Sequence, residues 1–140
     1  MNVKKILRSR KNNLLTFQEL EVFWHLDPSE DPSFIIVHFD GKMSERNTYE
    51  LNQKFYKIIE NCSINAMILN LSKLSYINSM GIAILYSLTA RFRENGGNTV
   101  IGGVHPFVRN ILTLADILPD IKVFDTQDEA KNYRLWQYHL

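Results

Sequence analysis

The chain is poor in the groups that most often announce chemistry. It has one cysteine, Cys62, in 140 residues, so no disulfide framework can form within it and no cysteine pair is available to a structural zinc. Its four histidines, His25, His38, His105 and His139, show no H-x-x-x-H or comparable ligand spacing. There is no G-x-S-x-G elbow to raise a nucleophilic serine and no G-x-x-x-x-G-K-S/T loop for nucleotide phosphates. Gly96-Gly97 and Gly102-Gly103 flank a strand without making the G-x-G-x-x-G dinucleotide fingerprint. An enzyme reading is left only with a His–Cys or His–Ser pair that folding alone would assemble. The chain is therefore expected not to be an enzyme and to carry no metal or cofactor. No stretch approaches the ~20 apolar residues of a membrane helix, and no long apolar run follows the basic start. Neither membrane insertion nor a secretory signal is expected.

What is present suits one domain. At 45% hydrophobic and 22% charged residues, a chain of this length can bury a core without a disulfide or metal staple. The net charge of +1 hides an asymmetry. Residues 1–11 hold Lys4, Lys5, Arg8, Arg10 and Lys11 and no acid, so of 16 basic and 15 acidic residues the remainder keeps 11 against 15, a balance of −4. An acidic body argues against direct nucleic-acid binding as the main task. Residues 1–13 are expected to form a solvated, partly disordered basic arm, residues 14–140 the domain, and the reducing cytoplasm is the expected location.

Leu20, Val22, Trp24 and Leu26 alternate with Glu19, Glu21 and His25, the period of a half-buried strand. After the turn chemistry of Asp27 to Pro32, the β-branched run Phe34 to Phe39 predicts its antiparallel partner, across a loop of about six residues. Helical spacing begins near Ser44, a candidate cap, and Leu51, Phe55, Ile58, Ile59 and Cys62 form one apolar stripe. Ala66 to Leu71 reads as a buried strand and Ser72 to Asn78 as a loop. A second helix is expected from Ser79 to Glu94, with Ile82, Leu85, Thr89 and Phe92 inward and Gly96-Gly97 as its stop. Then come a strand over Thr99 to Val104, a helix opened by Pro106, a short strand Ile121 to Phe124, and a helix behind the capping box Thr126 to Glu129. The order β-β-α-β-α-β-α-β-α implies an α/β fold. Its mixed sheet is mostly parallel, with one antiparallel strand and about four helices.

The segment from Met67 to Ile82 runs strand, loop, helix mouth, and Ser79 falls at the cap or first turn. Helix starts expose unpaired N–H groups and partial positive charge. A hydroxyl there has two uses: capping, worth ~1 kcal/mol, or phosphorylation, which adds a charge of about −1.5 to −2 that the helix end can accommodate. On this physics alone, capping ranks first.

The wording of the same segment adds to this. Leu69-Asn70-Leu71-Ser72, Leu74 to Ile77, and Asn78-Ser79-Met80-Gly81-Ile82, together with Gly41-Lys42-Met43-Ser44, Gly96-Gly97-Asn98 and Pro106-Phe107-Val108, resemble the STAS domain family. Within it they resemble the single-domain anti-sigma factor antagonists. The resemblance covers about Leu14 to Trp136. It implies that Ser79 is a phosphoacceptor and that the unmodified chain binds an anti-sigma factor with serine kinase activity, releasing a sigma factor. It also implies that phosphorylation ends the binding and that a PP2C-type phosphatase restores it. Asn78 and Ser44 stand where the family usually has aspartates, and Met80 where it has a small polar residue. Helix phase puts Met80, Ile84, Ser87 and Arg91 on one face, with Met43 and Ser44 nearby; the alternative for Ile84 is that it packs under the first helix. The expected partner surface is thus Met43, Ser44, Asn78, Ser79, Met80, Gly81, Ile84 and Ser87. The alternative is a structural or accessory STAS subunit of a stress-sensing or lipid-transport complex, without a phosphorylation cycle.

Overall fold

Seven strands build one sheet, and the longest of them organises the rest. The structure, a computed structural model, describes residues 13–27, 34–58, 66–94, 96–116 and 121–138. Strands β1 (Leu14–Phe17), β2 (Leu20–Asp27) and β3 (Phe34–Met43) run in antiparallel succession. Strands β4 (Ala66–Leu71), β5 (Leu74–Ile77), β6 (Asn98–Val104) and β7 (Lys122–Phe124) complete the order β1-β2-β3-β4-β6-β7, with β5 beside β3. All pairings beyond β3 are parallel, so β2 is the one strand running against the others, as the alternation of strands and helices predicts. The helices are α1 (Thr48–Lys54), continued by a 3-10 turn over Phe55–Ile58, α2 (Ser79–Glu94), α3 (Pro106–Leu114) and α4 (Gln127–Tyr138).

The core divides by strand parity. On one face Val22, Val37, Phe39, Met67, Leu69 and Ile101 meet Leu51, Phe55, Leu85, Leu88, Phe92, Val108 and Leu112 from α1, the 3-10 turn, α2 and α3. On the other, Phe34, Ile36, Ile68 and Val100 meet Ala130 and Tyr133 of α4. The second helix ends as its glycines predict. Gly96 takes φ +81°, its N–H donates to the Arg93 carbonyl and that of Gly97 to the Phe92 carbonyl, a Schellman closure. His105 caps α3 through Nδ1, with Pro106 in its first turn. Thr126 Oγ1 accepts from the Glu129 N–H at 3.1 Å and caps α4.

One strand is added and two local expectations change. Leu14–Phe17 is a strand, too short beside the basic arm to show a period. Leu74–Ile77 is a strand and not a loop. It continues the line of β4 after a turn at Ser72 and Lys73 and pairs the second half of β3, where the register shifts between Gly41 and Lys42. That shift gives it ends buried and middle exposed, a pattern no period-2 reading recovers. The first helix begins at Thr48 rather than near Ser44, whose Oγ accepts from the Arg46 N–H in the turn before it. Leu51, Phe55 and Ile58 form the expected buried stripe; Ile59, Cys62, Pro119, residues 28–33 and the basic arm lie outside the described residues.

Asn47, unremarked in the sequence, locks this corner. It is buried, its Nδ2 donates to the carbonyls of Gln18 (2.7 Å) and Lys42 (2.8 Å), and its Oδ1 accepts from the Ser44 N–H (3.1 Å). One side chain thus ties the β1–β2 turn to the end of β3. Asn47→Ala strands these backbone groups and is expected to cost about 3 kcal/mol in urea unfolding. Asn47→Asp should cost at least as much, because a carboxylate would face the carbonyls that the amide now serves. A loss below ~1 kcal/mol for both would contradict this role.

Candidate functional site

The carboxyl ends of β3 and β5 carry the site. The Asn78 N–H donates to the Met43 carbonyl at 2.9 Å, which fixes where β5 hands over to α2. Asn78 then caps the helix. Its Oδ1 accepts from the Gly81 N–H at 2.8 Å, and its carbonyl accepts the first helical bond, from the Ile82 N–H. The amide orientation follows, since the carbonyl oxygen faces a donor. The Nδ2 therefore points at Thr48 Oγ1, 3.5 Å away. That hydroxyl gives its one proton to the Ser44 carbonyl at 2.9 Å, so toward residue 78 it can only accept. An amide donates there and a carboxylate cannot, which accounts physically for asparagine at this position.

With Asn78 in the cap, Ser79 occupies the first turn, exposed, its hydroxyl not used to close the helix. No acidic residue lies in that turn, and Arg91 and Arg93 lie in the last. The positive end of the helix is therefore not neutralised by its own side chains. Gly81 is required by contact. A Cβ there would stand 2.8 Å from Ile77 Cγ1 and 3.0 Å from Met43 Cβ, so the first turn sits directly on the ends of β5 and β3. Asn78→Ala is expected to lower stability by about 1–2 kcal/mol through the lost cap. It should also raise amide exchange in residues 79–82 before the rest of α2; uniform exchange along the helix would contradict the assignment.

The expected partner residues divide by burial. Ser79 and Met80 (44% exposed) are on the surface, Asn78 and Ser87 are half-buried, and Ser44 is nearly covered. Ile84, expected on the outer face, is 1% exposed, and Met43 is 0% exposed; Gly81 is buried as well. Ile84 lies in the inward row Gly81, Ile84, Leu85, Leu88 and Phe92. Leu88, four residues on from Ile84, was the signal that placed it there. Met43 acts through its carbonyl and by packing under Gly81. Arg91 is exposed and lies over the Phe55 ring, 5.2 Å from its centroid. Aromatic residues missed by the sequence reading stand exposed on the same elements: Tyr49 on α1, Tyr76 on β5 and Tyr86 on α2. Tyr86 could have been found from phase, since it follows Met80 and Ala83 at steps of three.

The family model for the STAS domain matches residues 25–130. The chain belongs to the STAS domain family. This STAS domain superposes on an anti-sigma factor antagonist from Mycobacterium paratuberculosis with a TM-score of 0.63 and 19% identity, covering 80% of this chain and 92% of the other. The unphosphorylated form of the anti-sigma factor antagonist SpoIIAA gives 0.61 and 17%, covering 79% and 94%. Part of a murine Solute Carrier 26 family anion transporter gives 0.62 and 20%, covering 71% of this chain but 17% of the transporter. At these identities the likeness establishes the fold. Among the described residues of this STAS domain no helix is long and apolar enough to cross a membrane, and no group of three or more metal-ligating side chains is present.

Proposed function

We propose that this STAS domain is an anti-sigma factor antagonist acting by partner switching. The unphosphorylated chain binds an anti-sigma factor with serine kinase activity and frees a sigma factor. Phosphorylation of Ser79 ends the binding, and a PP2C-type phosphatase restores it. The observation that carries this reading is the division of labour at the helix mouth: Asn78 holds the cap, so Ser79 is exposed and chemically spare. A phosphoryl group on its Oγ would lie at the positive end of α2, where it need not disturb the fold. It would also place about two negative charges beside Met80 on any partner surface laid over the helix end. In this reading the chain is a substrate and a ligand, the catalysis belongs to its partners, and the cytoplasm is where it works.

The decisive functional test is displacement. Adding the unmodified chain to a complex of its host's anti-sigma kinase and sigma factor should release the sigma factor. A complex left intact at saturating chain would contradict the proposal. The second reading, an accessory STAS subunit of a stress-sensing or lipid-transport complex, is favoured by the uncharged Asn78 and the likeness to part of an anion transporter. It predicts a stable complex that Mg-ATP does not change.

A further inference from the structure

The other face of the sheet carries a feature that the switch does not use. Phe23, His25 and His38 lie on neighbouring strands β2 and β3, with Phe23 directly opposite His38. Helix α4 packs on β4, β6 and β7, and Phe23 and His38 are half-buried. The Phe23 and His38 rings stack at 4.5 Å and 7°, which holds the His38 imidazole in place. His25, exposed, brings its Nε2 to 3.1 Å from Nε2 of His38. Two nitrogens of the same kind thus face each other across the strand pair. In the neutral state one must donate and the other accept.

We infer that His25 and His38 form a two-nitrogen chelate for a transition-metal dication of the zinc, copper or nickel type. Metal–imidazole bonds of about 2.0–2.1 Å place their nitrogens about 2.9 Å apart at a right angle and about 3.3 Å apart at the tetrahedral angle. The observed 3.1 Å lies between these spans. The rings now meet nearly edge to edge, their centroids 5.2 Å apart and their planes within 16°. Binding therefore swings the exposed His25 ring aside, so that the ion sits on the lone-pair axis of His38 Nε2 and the lone pair of His25 Nε2 turns to meet it. The ring that held its proton on Nε2 moves it to Nδ1, so the neutral pair loses no proton. Imidazole ligands select these metals over Mg2+ and Ca2+, which take oxygen ligands. Among the described residues no third His, Cys, Asp or Glu completes a set, so the two imidazoles are the ligands assigned here. The paired strands keep both ligands on one face within reach of each other, so the second bond forms intramolecularly once the first is made. A bound ion would clamp β2 to β3 and reduce the negative charge of the body.

Titration of the full chain with ZnCl2, followed by 15N-resolved NMR of the histidine rings, tests this. Two of the four rings, His25 and His38, should show Nε2 coordination at one equivalent, while His105 and His139 keep their signals. Mg2+ should leave all four unchanged. His25→Ala should weaken Zn2+ binding more than about tenfold. His38→Phe, which keeps the stack on Phe23, should do the same while the thermal midpoint in chelator stays near that of the parent. Unchanged His25 and His38 signals with Zn2+, or undiminished binding by both variants, would overturn the inference.

Discussion

Gly41→Ala is expected to remove the folded domain. Gly41 has φ +122°, a conformation that side chains of L-residues rarely adopt. A Cβ there would lie 2.2 Å from the backbone oxygen of Glu19. That oxygen is not free to move, because it accepts from the Lys42 N–H at 2.9 Å. The Gly41 N–H in turn donates to the Lys73 carbonyl at 3.0 Å, and its carbonyl accepts from Ser75 Oγ at 3.2 Å. Gly41 is therefore where β2, β3 and the start of β5 come together. Backbone strain of about 1–3 kcal/mol adds to the clash and to the loss of these bonds. The total, about 4 kcal/mol or more, is a large part of an ordinary domain's stability. Urea unfolding with soluble-fraction yield checks it; a Gly41→Ala protein that melts like the parent would contradict the geometry.

Ser79→Asp is expected to separate stability from binding. A carboxylate in the first turn of α2 interacts favourably with the helix dipole, so the thermal midpoint should hold or rise, in line with about 0.3–1 kcal/mol of stabilisation. Affinity for the anti-sigma kinase should nevertheless fall by about a hundredfold, equivalent to about 2.7 kcal/mol. That fall comes from a desolvated charge placed within the contact surface. Ser79→Ala should bind like the parent, since the cap belongs to Asn78. Calorimetric titration beside thermal unfolding gives both readings. A loss of binding that tracks a loss of stability would mean the substitution acts by unfolding the helix mouth.

Most of the fold was legible because its long elements repeat their apolar residues at strand or helix period. Leu20 to Asp27, Phe34 to Phe39 and Ser79 to Glu94 carry enough turns or alternations to fix their type. The elements that escaped are those held by pairing rather than by period. Strands β1 and β5 have four residues each and exist because β2 and β3 offer them an edge. The corner at Asn47 escaped for a related reason: one of its partners, the Gln18 carbonyl, is distant in sequence, and no local pattern encodes a side chain that serves three backbone groups. At the site, the position of Ser79 and the capping role open to Asn78 could be read from the chain. The burial of Ile84 stayed one of two readings once Leu88 was left off the inward row. The reason for Asn78 itself needed the hydroxyl of Thr48, which only folding brings to it.

The account turns on one hydroxyl, so its most direct test is covalent. The chain should be incubated with the host's anti-sigma kinase and Mg-ATP, then weighed intact and mapped by peptide fragmentation. The account predicts a single added phosphate, located on Ser79 and absent from Ser79→Ala. A phosphate on any other residue, or none on Ser79 under conditions where the kinase modifies its own known substrate, would contradict it.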